Sequence, residues 1–244
     1  QYDILPKNPF SIACYENFPI SITLTFATAL NHIIPYMFNV FLPDYLHSIP
    51  MHGWSDDKSY QFNAYLMVTG SVVIVIIGIY TDKYGPLRFL ITSAILTFFI
   101  APFVWYGFTI TVQPYQDFLL ALSLTIIPNI TCGACYFWYI DALLLDPRTR
   151  ARIFGIAYNI GAVLFAGTAP FLGAFFIKTN GTTMGSILIG SWVSLVALLS
   201  LIAYIYGHKI IPQFYSNKRI QISFANQEEQ QELTANDASN QNDE

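Results

Sequence analysis

A stripe of polar residues runs along an otherwise apolar segment near the start of the chain. Its members recur every three or four residues, which is the spacing of one face of an α-helix. They are Ser21, Thr25, Thr28, His32, Pro35, Tyr36, Asn39 and Pro43. Because an imidazole titrates near neutral pH, His32 can pass protons, and Tyr36 and Asn39 can hydrogen-bond a polar solute. We expect the stripe to contact substrate or couple protons; the alternative is that His32 only bonds a neighbouring helix.

Two later apolar segments also carry polar residues at helical spacing. In one of them, Pro128 removes a backbone hydrogen bond beside Asn129, which loosens a helix near a cavity, and Tyr136 follows on the same face. In the other, Tyr158 and Asn159 can reach the same cavity. That segment also has a face of mostly small residues, which we expect to pack closely against another helix. This face comprises Gly155, Asn159, Ala162, Ala166, Ala169 and Gly173.

A charged turn motif lies between two apolar segments and contains Gly78, Asp82, Lys83, Gly85 and Arg88. Asp82 falls at the C-terminal end of a predicted helix, where the helix dipole disfavours an anion by about 0.3–1 kcal/mol. We expect compensation from a nearby base, including those of the 148–152 cluster, or from the N-terminus of another helix. The alternative is an ordinary basic loop at the edge of a membrane.

The composition indicates that these segments cross a lipid bilayer. Of the 244 residues, 54% are hydrophobic and 11% are charged, whereas soluble domains carry about 25% charged residues. The apolar residues fall in blocks of about twenty, enough for a helix to cross the hydrocarbon, where every backbone polar group must be bonded internally. The sequence therefore predicts an all-α membrane protein. Its six predicted transmembrane helices are 19–46, 60–81, 87–107, 117–144, 152–177 and 184–207.

Basic residues predict the orientation of these helices. Nine of the eleven Lys and Arg residues fall on one side of the six-span plan, and only Lys58 and Lys178 fall on the other. Because positive charge marks the cytoplasmic side, both termini should be cytoplasmic. Residues 1–18 then form a cytoplasmic segment, and residues 208–244, rich in Gln, Asn and Glu, form a disordered cytoplasmic tail. We expect the plasma membrane rather than an organelle.

The turn motif resembles the signature loop of the major facilitator superfamily, which reads Gly-x-x-x-Asp-Lys/Arg-x-Gly with a following Arg. That loop joins the second and third helices of each six-helix half. A second match, from Pro147 to Pro170, looks like the eleventh helix of the metabolite–proton symporter branch, which includes the proline/betaine transporters. The resemblance covers about residues 20–207 and is to the C-terminal half. Pro86 and Leu87 stand where the family usually has a basic pair.

The resemblance implies one half of a twelve-helix secondary transporter that works by alternating access. Its partners would be membrane lipid, a small polar organic solute of osmolyte or carboxylate type, protons, and an N-terminal six-helix half that lies outside this chain. The implied solute or proton pathway comprises His32, Tyr36, Asn39, Asn129, Tyr136, Tyr158 and Asn159. The implied gating motif comprises Gly78, Asp82, Lys83, Gly85, Arg88 and Arg150. We expect no cofactor, no metal and no nucleic-acid partner.

Other classes of membrane protein fit the sequence less well. An intramembrane enzyme would need a nucleophile motif or a ligand cluster, and the sequence contains neither Gly-x-Ser-x-Gly nor His-Glu-x-x-His. A channel would need a selectivity filter or an Arg-rich sensor helix. A transport-incompetent half that only assembles with another chain remains an alternative. The chain begins at Gln1 and shows no signal peptide, so we expect a piece of a longer protein or a processed product.

Overall fold

The computed structural model describes residues 17–49, 54–111, 113–134 and 147–240, with side chains except at 56, 82, 126–134, 147–150 and 210–240. All regular secondary structure in these residues is helical, which confirms the predicted fold class at that level. Four described stretches are long and apolar enough to cross a membrane. They are Phe18–Ser48, Asp57–Thr81, Pro86–Gly107 and Ala151–Lys209. These helices suit a lipid environment by length and composition.

The first stretch, here called the rod, is built from four consecutive elements. They are α1 (Phe18–Ala27), α2 (Ala29–Tyr36), a π-helical turn π1 (Met37–Phe41) and α3 (Leu42–Ser48). Thr28 separates α1 from α2, and its hydroxyl donates to the Leu24 carbonyl at 3.0 Å, a back-bond that bends helices. Pro35 lacks an N–H and crowds the preceding turn, and the wider turn π1 follows directly. The rod is therefore a jointed helix.

A single residue separates the next two helices, α4 (Asp56–Tyr84) and α5 (Pro86–Gly107). Gly85 has a φ of 83°, a left-handed value that glycine adopts without a Cβ clash. Pro86 then starts α5 with a φ already suited to a first helical turn. The break that the sequence predicts in the charged turn motif thus lies at Gly85.

The helix α6 (Pro114–Ala134) contains the described part of the predicted fourth span. Just before it, the Thr111 hydroxyl donates to the Asp117 carboxylate at 2.5 Å. Asp117 lies in the first turn of α6, where the helix dipole favours an anion. The rest of that predicted span, residues 135–146, lies outside the described residues.

The last elements are α7 (Pro147–Gly161), a second π-helical turn π2 (Ala162–Gly167) and α8 (Ala169–Asn240). The 59 residues of Ala151–Lys209 would extend about 90 Å if straight, three times the thickness of the hydrocarbon. They do not form a straight helix. Gly181 has a non-helical φ of 75° and ψ of 173°, and a Cβ on Gly185 would lie 2.8 Å from the Ile177 Cα. The chain therefore folds back at Gly181.

We call residues 169–180 the first leg and residues 182–209 the second leg of this hairpin. The second leg runs antiparallel to the rod. Near one end the Tyr45 and Ser186 hydroxyls lie 2.5 Å apart, and near the other the Tyr204 hydroxyl donates to the Ala27 carbonyl at 2.9 Å. Chain numbers thus rise in the rod as they fall in the second leg. The end of the bundle that contains Ser48 is called the outer end, after its predicted orientation.

The second leg also bridges the first joint of the rod. The Ser200 hydroxyl donates to the Phe26 carbonyl at 2.9 Å and accepts from the Leu30 N–H at 3.2 Å. In an uninterrupted α-helix these two backbone groups would bond each other. Ser200 therefore supplies the hydrogen bonds that the joint disrupts, and a bent helix can persist without unsatisfied backbone groups at this point.

An aromatic cluster fills the outer end. Its members have ring centroids 5.6–6.4 Å apart, within the range of favourable aromatic pairs. They are Phe38, Phe41, Tyr45, Trp105 and Phe108. Deeper in the bundle, Gly190 allows α5 and the second leg to approach closely. A Cβ at this position would lie only 2.5 Å from the Pro102 Cα. The rod, α5 and the second leg thus share one core.

The helical backbone of α8 continues to Asn240, beyond the apolar second leg. Disorder of residues 208–244 in the sense of lacking a packed core stays a prediction from composition. The two statements rest on different physical properties. Gln, Glu, Leu and Ala between residues 226 and 235 have high helix propensity. The prediction of disorder rests instead on the lack of apolar residues that could form a packed core.

Candidate functional site

The N-terminal part of the polar stripe, from Ser21 to His32, is buried against α7. Ser21, Thr25, Thr28 and His32 are all buried. The Thr25 hydroxyl donates to its own helix and also lies 3.2 Å from the Ala157 carbonyl of α7. The polar side chains of this part of the rod therefore face a neighbouring helix, as a polar stripe in lipid must.

His32 lies at the centre of this contact. Only 4% of its surface is exposed, and its ring meets the Tyr158 ring edge to face with centroids 4.4 Å apart. Its Nε2 atom is buried and has no hydrogen-bond partner among the residues that the structure describes. A buried nitrogen left unbonded costs about 1–3 kcal/mol. Nε2 can therefore form a hydrogen bond with a group that lies outside the described residues.

Gly161 makes this contact possible. A Cβ at Gly161 would lie 3.0 Å from Thr28 Oγ1, 3.1 Å from His32 Cδ2 and 3.2 Å from the Thr25 carbonyl oxygen. A Cβ there would require these neighbours to shift by a few tenths of an ångström, and a longer side chain would require more. Gly161 is not among the residues of the small-residue face that the sequence predicts, although glycine in a transmembrane helix is a signal of close approach between helices.

The other predicted pathway residues whose side chains are described lie in different surroundings. Tyr36 is 45% exposed, whereas Asn39 is half-buried and its carbonyl accepts from the Asn63 amide at 3.0 Å. Asn159 is exposed, and its amide donates to the Gly155 carbonyl of its own helix at 2.7 Å. The structure therefore brings Tyr158 to His32 and places Asn159 on the outside of α7. Asn129 lies in α6, but its side chain is outside the described set. Tyr136 lies outside the described residues.

The predicted face of small residues in the fifth span is only partly the buried one. Ala166, Ala169 and Gly173 are buried as expected, and a Cβ on Gly173 would lie 2.9 Å from the Phe41 ring. At the N-terminal end of this face, however, Asn159 is exposed and Gly155 has open space around it. The buried residues there are Ile153, Ala157 and Gly161. The turn π2 adds one residue between the two ends, so a uniform 3.6-residue repeat follows the wrong side of α7.

The charged turn motif lies at the end of the bundle opposite Ser48. Lys83 and Arg88 are exposed, and the Lys83 ammonium lies 5.4 Å from the Tyr84 ring centroid, a cation–π distance. Gly85 forms the turn, and Gly78 faces open space. The side chains of Asp82 and Arg150 lie outside the described set, so the base that compensates Asp82 stays a prediction.

No family model matches the chain, and no curated protein and no solved structure matches it.

Proposed function

We propose that this chain is a six-span half of a secondary transporter that moves a small polar organic solute by alternating access, coupled to protons. The six predicted spans, the cytoplasmic termini and the major-facilitator-type arrangement belong to this proposal. So do a second six-helix half as partner, the solute class of osmolyte or carboxylate, and a location in the plasma membrane. No catalytic or cofactor chemistry is part of it.

The observation that carries the proposal is His32 in its surroundings. An ionisable side chain inside a membrane bundle is costly, and such residues mark ion or solute pathways. Here the imidazole is buried between the rod and α7, against Tyr158, with Nε2 unbonded within the described part of the chain. A purely structural histidine would be expected to use both nitrogens, because an unbonded one gains nothing for stability.

The jointed helices give further support. The turns π1 and π2 lie in the rod and in the helix beside it, and α2 contacts π2. π-Helical turns occur often at functional sites, where they shift the register of a helix. Two such turns close to His32 would let the outer halves of the two helices move relative to their inner halves. Alternating access requires motion of this kind.

The experiment is uptake into vesicles containing the full chain together with a co-expressed six-helix partner half. Radiolabelled proline, glycine betaine and malate serve as probes, with and without an inward proton gradient. We expect gradient-driven uptake of at least one probe, abolished by a protonophore. His32→Gln should remove the dependence on external pH, whereas His208→Gln, at an exposed position, should retain it. Unchanged pH dependence in His32→Gln would remove His32 from proton coupling.

The second candidate is a membrane subunit that assembles with another six-helix half but does not transport. The observation that favours it is the exposure of α4. Only 17% of the most apolar stretch of α4 is buried, against 67% of the corresponding stretch of the rod. Val68, Val75 and Ile79 are prominent on that surface. Stable co-purification with the partner half, in vesicles that take up none of the probes under any gradient, would favour this candidate over transport.

A further inference from the structure

Two buried hydroxyl groups of the second leg bond the backbone of the rod. Ser200 and Tyr204 lie four residues apart, on one face of that helix, and both side chains are fully buried. The Ser200 hydroxyl donates to the Phe26 carbonyl at 2.9 Å. The Tyr204 hydroxyl donates to the next carbonyl, that of Ala27, at 2.9 Å. We call Ser200 and Tyr204 the hydroxyl pair.

A straight rod would not need the bonds of the hydroxyl pair. In an uninterrupted α-helix, the amides of residues 30 and 31 would donate to the Phe26 and Ala27 carbonyls. The structure interrupts the rod at Thr28, between α1 and α2. There the Ser200 hydroxyl also accepts from the Leu30 N–H at 3.2 Å. The hydroxyl pair therefore stabilises the bent form of the rod, since lipid offers no water to bond these backbone groups.

The bonds of the hydroxyl pair can be exchanged for bonds within each helix. If the rod straightens, its own amides take over the two carbonyls. The Ser200 hydroxyl can then donate to the carbonyl four residues before it. Ser191 on the same leg already does this, with its hydroxyl 2.8 Å from the Ile187 carbonyl. Only the bond of Tyr204 to the rod has no such replacement, so the bent form is favoured while the straight form stays accessible.

The same joint sets the place of His32. The His32 N–H donates to the Thr28 carbonyl at 3.1 Å, so the imidazole lies one helical turn after the bend. The helix α7 packs on this joint, because a Cβ at Gly161 would lie 3.0 Å from Thr28 Oγ1 and 3.1 Å from His32 Cδ2. The His32 ring also meets the Tyr158 ring of α7. A change in the bend must therefore move the imidazole relative to α7.

We propose that the hydroxyl pair holds the rod bent at Thr28 and thereby positions His32 against α7. Ser200 and Tyr204 are positioning residues, which act on the imidazole through the backbone of the rod. When the pair releases the two carbonyls, the rod straightens and the imidazole moves away from Gly161. The proposal rests on the proposed role of His32 in proton coupling, and it makes the second leg the element that controls this residue.

The first test observes the position of His32 by nuclear magnetic resonance of the full chain in detergent micelles, with histidine and glycine selectively labelled. We expect a nuclear Overhauser effect between His32 Hδ2 and the α-protons of Gly161, because these groups are in contact. His32→Gln assigns the signal among the four histidines. Ser200→Ala and Tyr204→Phe each remove one oxygen and add no bulk. Each should weaken the effect, and the double variant should abolish it.

Ser191→Ala and Tyr206→Phe are the matched controls. They make the same chemical changes on the same leg, where the Ser191 hydroxyl bonds its own helix and Tyr206 is 48% exposed. Both should retain the Overhauser effect. Retention in the variants of the hydroxyl pair would overturn the proposal, and so would an equal loss in the controls. If the double variant does not fold, the two single variants decide between these outcomes.

Uptake into vesicles separates this proposal from the proposed function. Ser200→Ala should reduce the dependence of uptake on external pH, as His32→Gln does, whereas Ser191→Ala should retain it. If the Overhauser effect responds as expected but the chain transports none of the probes, the proposed function fails and the positioning of His32 stands. If His32→Gln loses the pH dependence and Ser200→Ala keeps it despite a lost Overhauser effect, the positioning proposal is overturned.

Discussion

At the scale of single residues, the contact between the rod and α7 depends on the absence of a side chain at Gly161. We expect Gly161→Leu to destabilise the protein by about 1–3 kcal/mol, the usual cost of overpacking a filled interior. The added atoms would meet Thr28, His32 and the Thr25 carbonyl. The measurement is the midpoint of thermal unfolding in detergent, with tryptophan fluorescence as the probe.

Gly155 provides the matched control for this change. It lies on the same helix, but a Cβ there would have nothing within 4 Å. Gly155→Leu should therefore leave the midpoint almost unchanged. Equal loss in both variants would show that α7 tolerates leucine poorly in general, and that the contact at Gly161 is not specific.

At the scale of elements, the hairpin of α8 depends on Gly181. Its φ of 75° and ψ of 173° lie in a region that glycine alone occupies readily. We expect Gly181→Ala to cost about 1–3 kcal/mol of unfolding free energy, the strain of holding a Cβ in that conformation. Chemical denaturation in mixed detergent micelles measures it.

Gly167→Ala tests whether that cost comes from the turn. Gly167 has no positive φ, and the nearest atom to its would-be Cβ is 3.9 Å away. Alanine there should be neutral or slightly stabilising, because alanine is the better helix former. A loss at Gly167 as large as at Gly181 would contradict the strain argument.

At the scale of the whole molecule, the fold-back at Gly181 and the charge pattern together predict which residues reach each side of the membrane. With native cysteines replaced, single cysteines at Lys58 and Lys178 should react with an impermeant maleimide added outside intact cells. Cysteines at Lys83 and Lys209 should react only after permeabilisation. Labelling of positions 178 and 209 from the same side would contradict two crossings within Ala151–Lys209.

The sequence alone predicted much of this arrangement. Lipid leaves no water to bond an exposed backbone, so long apolar blocks must be helices. Glycine and proline at 85 and 86, and glycine at 181, then mark where those helices end. The candidate His32 also followed from the sequence, because a polar stripe in an apolar helix must face protein or water.

Only the tertiary structure decided how each helix is rotated. A helix that is apolar on all sides carries no pattern to distinguish a buried face from a lipid-facing one, since lipid is as apolar as the core. The predicted fifth span is an example. Its predicted small-residue face includes Asn159, yet the chain buries Ala157 and Gly161, because π2 inserts a residue into the repeat. The bonds of Ser200 to the rod depend in the same way on rotations that no local repeat encodes.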